Sequence, residues 1–254
     1  MGGKHLETDF SNSQVITDFK QECSTTKSSA VSDTVVVFGP RTTLAKHILF
    51  TTWAGRHNLL LVARDEEEAI SLGLDFSEAQ ILNCWLPENE WKWPDTCNGI
   101  TIFLCAFGVI HPVQPDWPSH CEAMNRDIDV LARVLRRFHG HKIRLVFVSS
   151  VLALVPRPQR SYYVGWKCLS EAIIRGLHAK QEGLFLSVIY PGRLVGKKTV
   201  LSPLSLFHTT YGRFAQKLAG IADSGAAHRE IVGLDARILL VLRALGLFMR
   251  AVFR

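Results

Sequence analysis

The chain has 254 residues, 47% of them hydrophobic and 20% charged, with a formal net charge of +6 at pH 7. A mean hydropathy of +0.12 and 14 phenylalanines exclude a mostly disordered chain, because that much apolar surface can offset the entropy of ordering. The length suits one sizeable core, a single α/β domain rather than two, and no uninterrupted apolar run reaches the roughly 18 residues of a membrane span.

Residues 1–32 carry Ser, Thr, Asp, Glu and Lys with little periodicity, as in Ser24-Thr25-Thr26-Lys27-Ser28-Ser29, and are expected to form a flexible tail. The opening MGGKHL has no apolar core of a secretory signal and lacks the hydroxyl residue that myristoylation requires, so a cytoplasmic protein is expected. Order begins at the β-branched run Thr34-Val35-Val36-Val37-Phe38, closed by Gly39-Pro40. A helix is expected from about Thr43 to Ala54, followed by strands at Leu59–Ala63, Ala79–Leu82, Ile100–Cys105, Ile143–Ser149 and Leu184–Tyr190, with a last short one near Glu230–Gly233. Helical patterns fill the long gaps, chiefly Cys121–Phe138 and Ser161–Gln181. The strands are continuous apolar runs rather than alternating ones, which is the pattern of a parallel sheet covered by helices on both faces. Residues 33–233 therefore predict a Rossmann-type, doubly wound parallel sheet in three α/β/α layers, and residues 234–254 a basic amphipathic terminal helix.

The six cysteines (23, 84, 97, 105, 121 and 168) never fall in a CxxC spacing. They read as reduced thiols acting as small hydrophobes rather than as a disulfide framework or zinc site. His139-Gly140-His141 reads as a polar turn between helix and strand, and no metal site is expected. From Arg193 onward the chain holds ten Lys/Arg against three Asp/Glu, a local +7 out of the total +6. With no interleaved aromatic platform this is a poor nucleic-acid surface, and a solvated or membrane-facing surface is the better reading.

Tyr163 and Lys167 stand at i and i+4 on a predicted helix and so share one face. An ammonium beside a phenol favours the phenolate and lowers its pKa from about 10, toward the range that suits a proton donor and acceptor for a carbonyl or alcohol. The spacing alone is weak evidence. It gains weight from Ser150, thirteen residues before Tyr163, at the end of Leu145-Val146-Phe147-Val148-Ser149-Ser150.

This ordered set resembles the short-chain dehydrogenase/reductase family. Gly39-Pro40-Arg41-Thr42-Thr43-Leu44-Ala45 stands where that family has its first glycine motif. Cys105-Ala106-Phe107-Gly108 matches its Asn-Asn-Ala-Gly position, Asn125 its active-site Asn, and Pro191-Gly192 its Pro-Gly motif. The resemblance spans residues 34 to about 233. It implies that Tyr163 is the general acid for ketone reduction, that Lys167 binds the nicotinamide ribose and depresses the tyrosine pKa, that Ser150 bonds the substrate carbonyl, and that Asn125 holds a water-linked proton relay. It also implies a cofactor contact surface made by Gly39, Arg41, Thr42, Thr43, Leu44, Arg64, Ala106, Phe107, Gly108, Tyr163, Lys167, Pro191 and Gly192, and a homo-oligomer. The chain departs from the pattern in the loop glycines, replaced by Thr43 and Ala45, in the missing Asn at Ala106, and at Gly196, where many members carry a threonine. Thr43 crowds the approach to a pyrophosphate, although Thr42 or Thr43 hydroxyls could bond its oxygens.

In Val62-Ala63-Arg64-Asp65, Ala63 stands where relatives that prefer NAD carry an acid. Arg64 follows, with Arg41 as a second positive group, so NADPH is expected over NADH. Asp65 reads as the N-cap of the next helix, ahead of Glu66, Glu67 and Glu68. In Ala236–Arg254 the residues Arg243, Arg250 and Arg254 share one side of a helix, opposite a broad Leu/Ile/Val/Phe face. Such a helix can lie in a membrane interface or pack on the domain or on a second subunit. Ala106 to Gly108, the last short strand and this terminal helix are similar to the decaprenylphosphoryl-2-keto-ribose reductases, although those keep a glycine at the position of Ala45. The reading is an NADPH-dependent ketoreductase acting on a hydrophobic or lipid-linked substrate, such as a polyprenyl-phosphate keto-sugar, at the inner face of a membrane. Its competitors are a reductase of a soluble polyketide, steroid-like or acyl substrate, and a nucleotide-sensing or scaffolding protein that has lost productive cofactor binding.

Overall fold

A computed structural model describes residues 34–49, 58–94, 97–107, 117–156, 160–196, 207–224 and 227–252. The predicted tail 1–32, Gly108 and Arg254 lie outside the described residues, as does the predicted helix beyond Leu49. Seven parallel strands form the central sheet: β1 (Thr34–Phe38), β2 (Asn58–Ala63), β3 (Gln80–Asn83), β4 (Gly99–Leu104), β5 (Lys142–Val148), β6 (Leu184–Pro191) and β9 (Arg229–Val232). Their order across the sheet is β3-β2-β1-β4-β5-β6-β9, with Val36 opposite Leu60 on one side and Ile102 on the other. The helices are α1 (Thr43–Ile48), α2 (Glu66–Asp75), α3 (Trp117–Arg137), the single turn α4 (Val151–Leu154), α5 (Ser161–Ala179), α6 (Tyr211–Ser224) and α7 (Leu234–Val252). A two-stranded ribbon pairs β7 (Leu194–Val195) with β8 (Thr209–Thr210); neither α4 nor this ribbon is visible in the sequence pattern.

Both faces of the sheet are buried, which is why its strands read as unbroken apolar runs. Val36, Phe38, Leu60, Val62, Ile102, Leu145, Phe147 and Leu186 point to one side and pack with Met124, Leu131 and Val134 of α3 and Trp166 and Ile174 of α5. Val35, Val37, Leu61, Phe103, Val146 and Ile189 point to the other, against Leu44 and Ile48 of α1, Leu72 of α2 and Phe214 and Leu218 of α6. Local chemistry sets the helix starts. Thr42 caps α1 by accepting from Ala45 N at 3.2 Å. Asp65 caps α2 by accepting from Glu68 N at 2.7 Å, and the Glu68 carboxylate accepts in turn from Arg64 N at 2.8 Å, a near relative of the capping box. The His139–His141 segment is a turn around Gly140 at φ +86°. Five cysteines among the described residues are free thiols.

The chain reverses its winding between β1 and β4. In an open α/β sheet such a switch point places a crevice outside the carboxyl ends of the strands, and the loops after β1, β4, β5 and β6 all end there.

Candidate active site

A cavity of about 550 Å³ opens at these strand ends, lined by the loop residues Arg41, Thr42, Thr43 and Leu44, by Ser150, Tyr163 and Lys167, and by Pro191 and Gly192 after β6. The fold thus brings together nine of the residues singled out from the sequence. Gly39 makes the loop possible. It sits at φ +69°, where an added Cβ would lie 2.6 Å from Ala106 Cβ, so both backbone conformation and space exclude a side chain. The Thr42 hydroxyl is used within the loop, donating to Gly39 O at 2.9 Å while accepting from Ala45 N. That leaves the exposed Thr43 as the hydroxyl better suited to a phosphate.

Ser150 follows β5 and caps α4, its oxygen accepting from Leu152 N at 3.2 Å, and it lines the cavity with Tyr163. Lys167 is buried, with 4% of its surface exposed. Its Nζ donates to Val148 O at 3.0 Å and lies 5.5 Å from the centre of the Phe147 ring. Burial pushes the Lys167 ammonium down to about 8, the nearby Arg64 charge pushes the same way, and Cys105 opposes them. Burial also pushes the Tyr163 phenol above its usual range, against smaller downward contributions from the Ser150 hydrogen bond and the Arg160 charge. The sequence-based expectation that Lys167 draws the phenol pKa down is therefore corrected: desolvation dominates, and the ammonium is turned to the Val148 carbonyl.

Four further expectations change. Asn125 lies on the exposed stripe of α3 with Glu122 and Asp129, while Ala123, Met124 and Asp127 face inward, so its side chain takes no part in the cavity. Phe107 is fully buried and packs edge-to-face on Phe38 at 5.9 Å; it is a core residue rather than a cofactor contact. Ala106 is absent from the cavity lining, its methyl set against Gly39 and its carbonyl accepting from Arg64. The Arg64 guanidinium is committed to that carbonyl and to Asp127, at 3.0 Å from Oδ2, with the Asp127 side chain only 3% exposed. Arg41, not Arg64, is the exposed cation on the cavity wall.

The cavity also takes in Cys105, Val148, Ser149, Leu194 and Tyr211, none of which the sequence marks as a contact residue, although Cys105 opens the segment matched to Asn-Asn-Ala-Gly. Cys105, Val148 and Ser149 could have been found from their places at strand carboxyl ends. Leu194 and Tyr211 carry no local signal, because they arrive through the β7–β8 ribbon. Burial drives the Cys105 thiol up to about 12, so it is a neutral, inert wall beside Lys167. Behind Ser149, Glu171 receives its hydroxyl at 3.4 Å and a two-pronged contact from Arg175 at 2.8 and 2.9 Å.

No protein-family model and no curated protein matches this chain. Solved structures do share its fold. A short-chain dehydrogenase/reductase, glucose/ribitol dehydrogenase, from Brucella melitensis is 12% identical with a TM-score of 0.60, over 83% of this chain and 99% of that one. A gluconate 5-dehydrogenase from Burkholderia cenocepacia, in complex with NADP and tartrate, is 14% identical with a TM-score of 0.58, over 82% and 96%. An acetoin dehydrogenase from Enterobacter cloacae is 12% identical with a TM-score of 0.57, over 84% and 98%. At these identities the likeness is one of fold.

Proposed function

We propose that this chain is an oxidoreductase of the short-chain dehydrogenase/reductase type, which uses NADPH to reduce the ketone of a hydrophobic or lipid-linked substrate. The observation that carries the reading is the convergence of Ser150, Tyr163 and Lys167 on one cavity, at the switch point of a doubly wound sheet where nucleotides bind. Its volume suits a small ligand or cofactor, and its donors suit the nicotinamide, ribose and phosphate portions of a dinucleotide. A bound nicotinamide nucleotide would supply the hydride.

The chain's own residues would do the rest. An ammonium has three N–H bonds; Lys167 gives one to Val148 O and can give the others to a ribose diol. Ser150 has its acceptor side engaged by Leu152 N and keeps one O–H to donate, to the Tyr163 oxygen or to a carbonyl. Tyr163, held protonated at neutral pH by burial, would hand its proton to the developing alkoxide. Reduction is accordingly the direction favoured near neutrality, and alcohol oxidation gains as the pH rises. Arg41 would meet the 2′-phosphate that distinguishes NADPH, since Arg64 is held by Asp127. A polyprenyl-phosphate keto-sugar is one specific form of this substrate class.

A second reading is a nucleotide-binding protein with impaired chemistry. It is favoured by the exposure of Asn125 and by Thr43 in the cavity wall. Turnover separates the two. The protein is expected to oxidise NADPH, followed by nicotinamide absorbance, in the presence of members of a panel of long-chain and cyclic ketones, and to use NADH more slowly. The oxidoreductase reading is overturned if no ketone supports oxidation and no matching secondary alcohol supports reduction of NADP.

A further inference from the structure

α7 is a 19-residue helix whose sides differ sharply. Ala236 is buried and Asp235 is turned to the domain, its Oδ2 accepting from Arg193 N at 2.7 Å. Arg243 donates to the carbonyl of Leu154, four residues past Ser150. The helix is thus tied to the segments that follow β6 and β5, from which part of the cavity lining comes. Away from Ala236 and Arg243, the residues Leu234, Ile238, Val241, Leu242, Leu245 and Met249 are all 41–66% exposed. At about 100° per residue these six positions fall within an arc of about 100°, along about 22 Å of helix axis. Every residue from 241 to 247 is exposed, so this stretch of α7 is without cover from the described residues.

An apolar stripe of this extent on a protein surface marks an interaction site, and charge decides between occupants. Asp235 is the only acid of α7, and its carboxylate is occupied by the Arg193 N–H. Arg237 is exposed beside the stripe, and residues 193–254 carry a net +7. A two-fold contact of α7 with a second α7 would set like charges together with no carboxylate to pair them. An anionic lipid surface complements both the stripe and the Arg237 charge at its edge. No helix among the described residues is long and apolar enough to cross a membrane, which leaves α7 to lie on one.

We infer that α7 docks the protein on an anionic lipid surface through Leu234, Ile238, Val241, Leu242, Leu245 and Met249, and so brings the Ser150–Tyr163–Lys167 cavity to the bilayer. The test is sedimentation of the full chain with vesicles, which needs no nucleotide and so fails or succeeds independently of the oxidoreductase reading. Wild type is expected to sediment with phosphatidylglycerol vesicles and much less with phosphatidylcholine vesicles. The pair L242E/L245E, at exposed positions that should not disturb folding, is expected to partition at least about tenfold more weakly. The pair I70E/L74E on α2, also at exposed apolar sites, is expected to behave as wild type. Wild type left in the supernatant with anionic vesicles would overturn the inference, as would L242E/L245E sedimenting undiminished. It would equally be overturned if the pair's sole effect were to convert a dimer to monomers.

Discussion

Replacing Tyr163 with phenylalanine is expected to lower the rate of ketone reduction by about 10²–10⁴-fold, the usual worth of a positioned general acid, while leaving nucleotide affinity within about threefold. The substitution removes one hydroxyl and keeps the ring that lines the cavity. The Ser150 oxygen still accepts from Leu152 N, so the turn after β5 keeps its cap. The phenol's interaction with Ser150 is lost, at a net cost of about 1 kcal/mol or less. Single-turnover NADPH oxidation separates chemistry from binding: a fall in the rate at saturating nucleotide identifies Tyr163 as the acid. A rate within a few-fold of wild type would assign proton delivery to another group.

Lys167→Met is expected to split stability from function. The ammonium is held at about 8 in the folded chain against an ordinary 10.5, so the native state binds fewer protons than the unfolded state between those values. By linkage, stability rises with pH across that window, and below about 8 the full cost of burying the charge is present. Methionine removes that cost and forfeits the bond to Val148 O. The variant is therefore expected to be more stable than wild type at pH 7 by on the order of 1–2 kcal/mol. The advantage should fade as the pH approaches about 10.5. Activity is expected to fall by at least about 10²-fold, because the variant cannot hold the ribose or support the Tyr163 site. For wild type, reduction should weaken as the pH rises through about 8 and Lys167 loses its charge. Urea unfolding at pH 7 and 10 beside a pH–rate profile checks both halves; a large loss of stability at pH 7 would show that the charge is better compensated than the structure indicates.

These effects rest on residues that the sequence itself makes legible. The strands are legible because both faces of the sheet are buried, so β1 and β4 run largely apolar from end to end and β5 does so after Arg144. Ser150, Tyr163 and Lys167 were found because strand end and helix spacing are local properties. The errors share a different origin. One residue along a helix is a turn of about 100°, and that rotation is what sends Asn125 to solvent while Met124 faces the core. Arg64 was assigned by its place after β2, yet its direction is set by Asp127, 63 positions away in the chain. Phe107 sat at a loop position of a motif, but the Phe38 ring opposite it makes it a plug. Tyr211 needed the β7–β8 pairing to come within reach of the cavity.

The most direct test of the central reading is a titration of NADPH and NADH by tryptophan fluorescence, with Trp166 on α5 next to Lys167 and stacked on His120 as the nearest reporter. The reading predicts saturable NADPH binding in the micromolar range, tighter than NADH, with that preference reduced in Arg41→Ala and unchanged in Ile70→Glu. Failure of either nucleotide to bind at millimolar concentration would contradict it, and would leave Ser150, Tyr163 and Lys167 as the wall of a cavity with some other occupant.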